Sequence, residues 1–392
     1  MGKRNIPLSV PNIKGNEKKY VDQALTEEWV SSSGPFIVEF ENKFKEYLNV
    51  NNACACQSGT AGLHLCLVEL GIGDGDVVLV PSLTFVATIN AVIYQRAIPV
   101  FFDCDDNMGI DVETIEQYLI NNCIKKGEKI FDKNSGGEVK AIIPVHVFGN
   151  TCDMSGLMKL SEKYNLKIIE DATESLGTKY TEGEFAGSMT GTIGDYGVFS
   201  FNGNKIITTG GGGMVVSNDK DAIDKVRYLS TQAKDDMVFF VHNEVGFNYR
   251  LTNVQAAIGM GQLERIEEFI SVKTNNFKTY KQYLSECKLG NLFDFSNEIR
   301  PNYWFYSLIL NDEYYPSRDK IIKYLSNKGI QTRPIWKLNH LQKPFNKYDM
   351  YFNNERKCLN FYQRVINLPC STNLTESEVI DVCNILNQYE ED

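Results

Sequence analysis

An informative stretch of the chain is Ile168-Ile169-Glu170-Asp171-Ala172-Thr173-Glu174, in which a short apolar run ends at acidic residues. The run at 167–170 has the length and the branched side chains of a buried strand. Comparable runs recur at 76–80, 98–102, 141–145, 198–201 and 213–217. Amphipathic stretches lie between or after them, and they predict helices at 59–70, 84–94, 154–164 and 220–230. This alternation predicts an α/β fold with a mostly parallel sheet covered by helices.

The pattern changes after about residue 255. It predicts one long helix at 253–285, a strand at 304–310, a helix at 316–328 and a strand-like run at 330–333. The sequence Thr375-Glu376-Ser377-Glu378 has the form of a capping box and predicts the start of a last helix. We therefore expect a large α/β domain at residues 1–254 and a smaller α+β domain at 255–392.

Composition excludes several classes of protein. The 392 residues include 40 Lys+Arg and 50 Asp+Glu, a net charge of −10, which argues against nucleic acid as a partner. No apolar run reaches the roughly 18 residues that span a bilayer, and the N-terminus lacks the apolar core of a secretory signal. The ten cysteines are scattered without a Cys-x-x-Cys pair, so we expect reduced thiols and no metal site. These features predict a cytoplasmic protein.

Chemically suggestive residues follow several of the predicted strands. In open α/β sheets, ligands bind beyond the carboxyl ends of the strands. The small residues Ser58-Gly59-Thr60 enter a helix, whose first N–H groups can bind phosphate, although a capped helix alone would also explain them. Asp171 could be a helix N-cap, or it could keep a proton on a heteroaromatic ring nitrogen, as a buried carboxylate does.

Lys205 follows the apolar strand 198–201 and is flanked by small polar residues. Such a lysine can lose its proton and act as an amine nucleophile, or it can be an ordinary surface lysine. The glycine run 210–213 precedes a strand and not a helix, so it predicts a tight turn and no dinucleotide-binding fingerprint. Arg250, in the polar loop 246–253, could pair with an acid at the domain junction.

Taken together, these residues resemble the DegT-type nucleotide-sugar aminotransferases, which are pyridoxal-phosphate enzymes of fold type I (aspartate aminotransferase-like). The resemblance runs over nearly the whole chain, and its most specific motifs are Ser58-Gly59-Thr60, Glu170-Asp171-Ala172, Ser200-Phe201-x-x-x-Lys205 with Thr208-Thr209-Gly210, and Asn248-Tyr249-Arg250. The branch it resembles most aminates C4 of nucleotide-linked 4-keto-6-deoxy sugars. Within that branch the chain is similar to enzymes of legionaminic acid and bacillosamine biosynthesis, with perosamine synthase a near relative.

The resemblance implies how the cofactor, pyridoxal 5′-phosphate, would be bound. Lys205 would hold the cofactor covalently and move protons as the catalytic residue, and Asp171 would bind the ring nitrogen. Phe85 would stack on one face of the ring and Thr173 would lie against the other. Glu174 would lie near the ring hydroxyl.

The resemblance also implies a phosphate site and a sugar site. Gly59, Thr60 and Ser200 would hold the phosphate, and Asn248 would reach it from the other subunit of a homodimer. His146 would border the cofactor and substrate, or it would be a hydrogen-bonded core histidine. The remaining candidates for contact with the sugar nucleotide are Trp29, Ser31 and Arg333.

The chain departs from the common family pattern at three positions. Gly211 replaces a frequent glutamate, and Thr173-Glu174 stands where alanine followed by glutamine or histidine is common. These differences concern ring packing and substrate choice. A dehydratase branch of the family has histidine in place of the catalytic lysine, and because this chain keeps Lys205 the resemblance favours transamination.

The expected function is transfer of an amino group from L-glutamate to C4 of a UDP- or GDP-linked 4-keto-6-deoxyhexose for glycan biosynthesis. The N-acetylglucosamine derivative is the favoured sugar, and two half-reactions predict ping-pong kinetics. The alternatives are a perosamine synthase-type enzyme, an aminotransferase acting at C3, and a non-enzymatic binding protein on the same fold. A Rossmann-type oxidoreductase is disfavoured because its glycine fingerprint is missing.

Overall fold

The computed structural model describes residues 5–236 and 238–390. The helices in these residues are α1 (Glu17–Thr26), α2 (Pro35–Leu48), α3 (Gly59–Glu69), α4 (Val86–Tyr94), α5 (Val112–Asn121), α6 (Met154–Tyr164), α7 (Lys220–Ser230), α8 (Asn253–Leu263), α9 (Ile266–Tyr283), α10 (Arg318–Asn327), α11 (Lys357–Arg364) and α12 (Glu376–Asn387). The strands are β1 (Asn52–Cys56), β2 (Val77–Pro81), β3 (Ile98–Phe102), β4 (Cys123–Lys126), β5 (Lys129–Asp132), β6 (Val139–Ile142), β7 (Lys167–Asp171), β8 (Lys179–Tyr180), β9 (Tyr196–Ser200), β10 (Gly213–Ser217), β11 (Gly290–Leu292), β12 (Ile299–Arg300), β13 (Tyr306–Leu310), β14 (Arg333–Pro334), β15 (Met350–Tyr351) and β16 (Val365–Leu368).

The central sheet has the order β1-β10-β9-β7-β6-β2-β3-β15. Among these strands β10 alone runs opposite to its neighbours, and the pairs from β9 through to β15 are parallel. The predicted α/β fold of the aspartate aminotransferase type, with its mostly parallel sheet, is therefore confirmed.

Helices cover both faces of this sheet, because its strands are apolar on both sides. In β2, Val78 and Val80 pack with residues of α3 and α4, whereas Val77 and Leu79 pack with residues of α5 and α6. All four side chains are fully buried. Near-continuous apolar strands of this kind are typical of a parallel sheet with helices on each face.

The C-terminal half builds a second sheet and also contributes to the first one. Strands β11-β13-β16-β14 form an antiparallel sheet that shares an apolar core with α9 and α12. Strand β15 pairs with β3 at the edge of the central sheet. A segment beyond residue 255 thus returns to the large sheet, and the division at 254/255 stays a prediction.

Two predicted elements differ from the structure. The helix predicted at 253–285 is interrupted between α8 and α9, where the backbone of Arg265 leaves the helical conformation (φ −112°, ψ 8°). The strand predicted at 330–333 is shorter, because the backbone of Ile330 and its neighbours hydrogen-bonds with Ile6 near the N-terminus. The capping box at Thr375 forms as predicted, with Thr375 and Glu378 bonded to each other's backbone N–H.

The cysteines and the longest helices were singled out by the composition. All ten cysteines are free thiols, and all except Cys287 are buried. Within the described residues, no helix is both long enough and apolar enough to cross a membrane.

Candidate active site

A cavity of about 750 Å³ opens where the parallel strands of the central sheet end. Ser58 follows β1, Thr84 follows β2, and Asp171 and Ser200 are the last residues of β7 and β9; all four line the cavity. Residues 333–337 of the C-terminal half line it as well. The parallel arrangement brings these polar strand ends to one edge of the sheet, which is the usual place for a ligand in such a fold.

The N-terminus of α3 lies at this cavity. Ser58 caps the helix, because its Oγ accepts a backbone hydrogen bond from the first turn at 3.1 Å. A Cβ atom at Gly59 would lie 2.8 Å from Thr173 Cγ2 and 3.1 Å from Ser200 Cβ, so glycine allows this close approach. The first N–H groups of a helix lack partners within the helix and attract anions. Gly59, Thr60 and Ser200, the predicted phosphate residues, therefore lie together at a suitable helix end.

Asp171 presents a buried carboxylate to the cavity, with 3% of the residue exposed. Its Oδ2 accepts a hydrogen bond from Thr88 Oγ1 at 2.8 Å, and its Oδ1 accepts one from the backbone N–H of Thr173 at 3.2 Å. The Thr88 hydroxyl in turn lies 3.2 Å from that of Thr84. These bonds fix the carboxylate, which could stabilise a positive charge on a bound heteroaromatic ring.

Lys205 follows β9 in a tight turn, in which its N–H donates to the carbonyl of Asn202 at 3.0 Å. Its Nζ lies 3.8 Å from Glu174 Oε1 and 3.9 Å from the centroid of the Trp304 ring, and the side chain is 12% exposed. Burial lowers the pKa of the Lys205 ammonium, and the carboxylates of Glu174 and Asp171 oppose this effect. A lysine with a lowered pKa has more of its amine available as a nucleophile.

Glu174 is the carboxyl partner of this lysine. Its Oε2 accepts the backbone N–H of Phe148 at 3.0 Å, and the side chain is 2% exposed. Burial raises the pKa of the Glu174 carboxyl to about 7, with Lys205 and the Phe148 N–H acting in the opposite direction. The shifts of Glu174 and Lys205 both favour the uncharged forms, so the pair can take up and release a proton near neutral pH.

Three further predicted residues also reach the cavity. Phe85 and Thr173 line it, and half of Phe85 is exposed to solvent. Arg333 lies on the C-terminal segment of the wall, is exposed, and donates from Nη1 to the carbonyl of Thr332 at 2.8 Å. Lys337 lies on the same segment, so the cavity has two cationic side chains in addition to Lys205.

Three other predicted residues lie outside the cavity of their own chain. Asn248 is exposed, and its backbone pairs with Thr231. Trp29 and Ser31 are also exposed. The carbonyl of Trp29 accepts a hydrogen bond from Asn253 Nδ2, and that of Ser31 accepts one from the Asn253 backbone N–H. Within one chain these residues are therefore not brought to Lys205.

His146 has the environment of a core histidine. The ring is fully buried, its Nδ1 accepts the backbone N–H of Cys152 at 3.2 Å, and its Nε2 donates to Glu170 Oε2 at 2.9 Å. Both ring nitrogens are thus engaged within the protein. These bonds favour the alternative of a hydrogen-bonded core histidine, and a contact of His146 with the substrate stays a prediction.

Several cavity residues were absent from the sequence-based set, namely Thr88, Trp304, Trp336, Lys337 and Asn367. The sequence contains a signal for Thr88, because it lies four residues after Thr84 in the helix predicted at 84–94. The contact of Trp304 with Lys205 joins positions 99 residues apart, and no local pattern predicts it.

The chain is similar to known proteins over nearly its whole length. A family model described as the DegT/DnrJ/EryC1/StrS aminotransferase family matches residues 11–387. The chain is 38% identical over 391 residues to a protein named GDP-perosamine synthase from Caulobacter vibrioides, with 98% of each chain covered. It is 37% identical over 391 residues to a protein of the same name from Escherichia coli O157:H7, with 99% of each covered.

Solved structures give the same grouping. The chain superposes on a crystal structure described as a DegT DnrJ EryC1 StrS aminotransferase from Brucella abortus with a TM-score of 0.84 and 28% sequence identity. That superposition covers 95% of this chain and 94% of the other. The similarity therefore includes the central sheet and the C-terminal half together.

Proposed function

Because the chain belongs to the DegT/DnrJ/EryC1/StrS aminotransferase family, we propose that it transfers the amino group of L-glutamate to C4 of a nucleotide-linked 4-keto-6-deoxyhexose. At the coarser level it is a pyridoxal phosphate-dependent nucleotide-sugar aminotransferase. The observation that carries the proposal is the grouping of Lys205, Glu174 and Asp171 in one cavity beside the N-terminus of α3.

The residues of this cavity fit pyridoxal phosphate. The helix end with Gly59, Thr60 and Ser200 suits the phosphate group, and the buried carboxylate of Asp171 suits the ring nitrogen. The amine of Lys205 would hold the cofactor covalently. When bound, the cofactor supplies an electron sink that stabilises negative charge on the carbon next to the transferred nitrogen.

The protein's own groups would handle the protons. The Lys205 amine must be neutral to react, and the neighbouring Glu174 carboxylate can accept the proton that the ammonium loses. The Asp171 carboxylate, held in place by the hydrogen bond from Thr88, would bind the protonated ring nitrogen. The low exposure of the Lys205 and Glu174 side chains limits competing exchange with water.

Two acceptor sugars are supported. The similarity to two proteins named GDP-perosamine synthase supports a GDP-linked 4-keto-6-deoxyhexose. The sequence resemblance to the enzymes of legionaminic acid and bacillosamine biosynthesis supports a UDP-linked N-acetylglucosamine derivative. Arg333 and Lys337 in the cavity wall suit the diphosphate of either nucleotide.

We further propose that the active form is a homodimer in which Asn248 completes the phosphate site of the partner subunit. The loop before Asn248 exposes apolar side chains, with Val238 75%, Phe239 80% and Phe240 69% exposed. A contiguous apolar surface of this kind is typical of a protein interface. Sedimentation velocity of the wild type should give a dimer, and the double variant F239S/F240S should shift it towards monomer. A monomeric wild type that turns over normally would contradict this proposal.

The first experiment is the visible absorption spectrum of the protein with pyridoxal phosphate, before and after addition of L-glutamate. We expect an absorption band that bleaches with glutamate and returns when the correct keto sugar is added. Lys205→Ala should lack the band and the turnover. Ordinary turnover by Lys205→Ala would overturn the assignment, and a band that ignores every amino donor would favour the non-enzymatic alternative.

A panel of keto sugars then identifies the substrate. UDP- and GDP-linked 4-keto-6-deoxyhexoses, with and without the acetamido group, are tested for return of the band, and the product is analysed by NMR. An amine at C4 supports the proposal, whereas an amine at C3 on a 3-keto substrate favours the C3 alternative. Parallel double-reciprocal lines are expected from the two half-reactions, and intersecting lines would contradict them.

A further inference from the structure

The indole of Trp304 contacts the side-chain end of Lys205 and the backbone of the residue before it. The Lys205 ammonium lies 3.9 Å from the centroid of the ring. The indole Nε1 donates a hydrogen bond of 2.7 Å to the carbonyl of Asn204, which is joined directly to the Lys205 backbone. One side chain therefore touches both the reactive amine and the turn that carries it.

Trp304 is itself held firmly. Its backbone N–H donates to Asn302 Oδ1 at 2.9 Å, and its carbonyl accepts from the buried ammonium of Lys273 at 3.1 Å. The Asn302 side chain also donates from Nδ2 to the carbonyl of Glu174 at 3.0 Å. Asn302 thus links the backbones of Trp304 and Glu174, the two residues whose side chains lie near the Lys205 amine.

The negative face of an indole attracts an ammonium group, and the attraction is stronger where water is excluded. Trp304 is 3% exposed, so its contact with Lys205 belongs to that second case. We propose that Trp304 is a positioning residue whose indole face stabilises the charged form of the free Lys205 amine beside the Glu174 carboxylate, and so offsets part of the effect of burial. A role in core packing alone would give Trp304 a part in stability but none in the reactivity of Lys205.

The inference rests on Lys205 being the reactive lysine of the proposed function, but its test requires neither cofactor nor substrate. Full-length protein freed of cofactor is labelled with traces of acetic anhydride over a range of pH. Mass spectrometry then gives the extent of labelling of Lys205 relative to the exposed Lys43 in the same sample. Only the neutral amine reacts, so the pH profile reports the charge of Lys205.

Trp304→Leu removes the ring, and Trp304→Phe keeps a weaker one. At pH values below the midpoint of the profile, we expect Lys205 in Trp304→Leu to react roughly 2- to 30-fold faster than Lys205 in the wild type. This factor is the free energy of a cation–π contact expressed as a ratio of rates. The phenylalanine variant should lie between the two. Trp336→Leu is the matched control, since Trp336 lines the same cavity but packs on Phe148, and its profile should match the wild type.

Easier access of the reagent would raise the rate equally at every pH, whereas loss of the contact moves the midpoint of the profile. A wild-type midpoint in Trp304→Leu would overturn the inference. If that variant does not fold, Trp304→Met, which fills more of the vacated space, is measured with the same criterion. A wild-type Lys205 that titrates like Lys43 would instead contradict the proposed function, so the two failures are distinguishable.

Discussion

Glu174→Gln tests whether the carboxyl beside Lys205 titrates near neutral pH. The Glu174 side chain is 2% exposed, lies 3.8 Å from the Lys205 Nζ and accepts the N–H of Phe148. Glutamine keeps the acceptor for that N–H and nearly the same volume, but it cannot ionise. The substitution therefore removes the charge and leaves the packing in place.

The magnitude follows from the shift of the Glu174 pKa from its ordinary value of 4.5 to about 7. Because the folded state has the higher pKa, it binds the proton more tightly, and this contribution to stability is complete below pH 4.5 and is lost as the pH rises through about 7. At 1.36 kcal/mol for each pKa unit, the loss is about 3 kcal/mol. The wild type should therefore lose about 3 kcal/mol relative to Glu174→Gln between about pH 4 and about pH 8.

The assay is urea unfolding of the cofactor-free protein at several pH values in this range, with the free energy of unfolding compared at each pH. Glu46→Gln serves as the control, because Glu46 is exposed and its variant should follow the wild-type curve. The reasoning is refuted if the wild type and Glu174→Gln differ by a constant free energy across the whole range.

Three other substitutions test the rest of the site. Gly59→Ala should weaken pyridoxal phosphate binding in an absorbance titration, because the added methyl group collides with side chains across the helix end; Gly73→Ala, where the space is open, should bind as the wild type does. Thr88→Val removes the hydrogen bond to Asp171, a bond to a charged group worth about 1.5–3 kcal/mol, so kcat/KM should fall roughly 10- to 100-fold and the thermal midpoint should also fall. An unchanged kcat/KM would show that the role of Asp171 in catalysis does not require the hydrogen bond from Thr88. His146→Ala should lower the free energy of unfolding by about 2 kcal/mol and leave the KM for the sugar unchanged, whereas normal stability with a raised KM would support a substrate role for His146.

The sequence was informative wherever a local pattern carried the information. Strands with continuous apolar residues and helices with period 3.6 predicted the alternation that builds the sheet, and α6 and α7 have the predicted bounds. Because the carboxyl ends of parallel strands meet at one edge, Asp171, Ser200 and the segment at Gly59 were expected near one another, and they line one cavity.

The chain alone therefore determined the fold class, the family resemblance and the strand-end residues of the site, because these depend on short-range patterns and on motifs of fixed spacing. Only the tertiary structure showed that Trp304 contacts Lys205 and that β15 pairs with β3 at the edge of the central sheet. It also showed that both ring nitrogens of His146 are hydrogen-bonded within the protein. Each of these contacts joins residues that belong to different helices, strands or loops of the fold. Their geometry depends on how whole elements pack and which polar groups are buried together, and the spacing of residues along the chain does not contain that information.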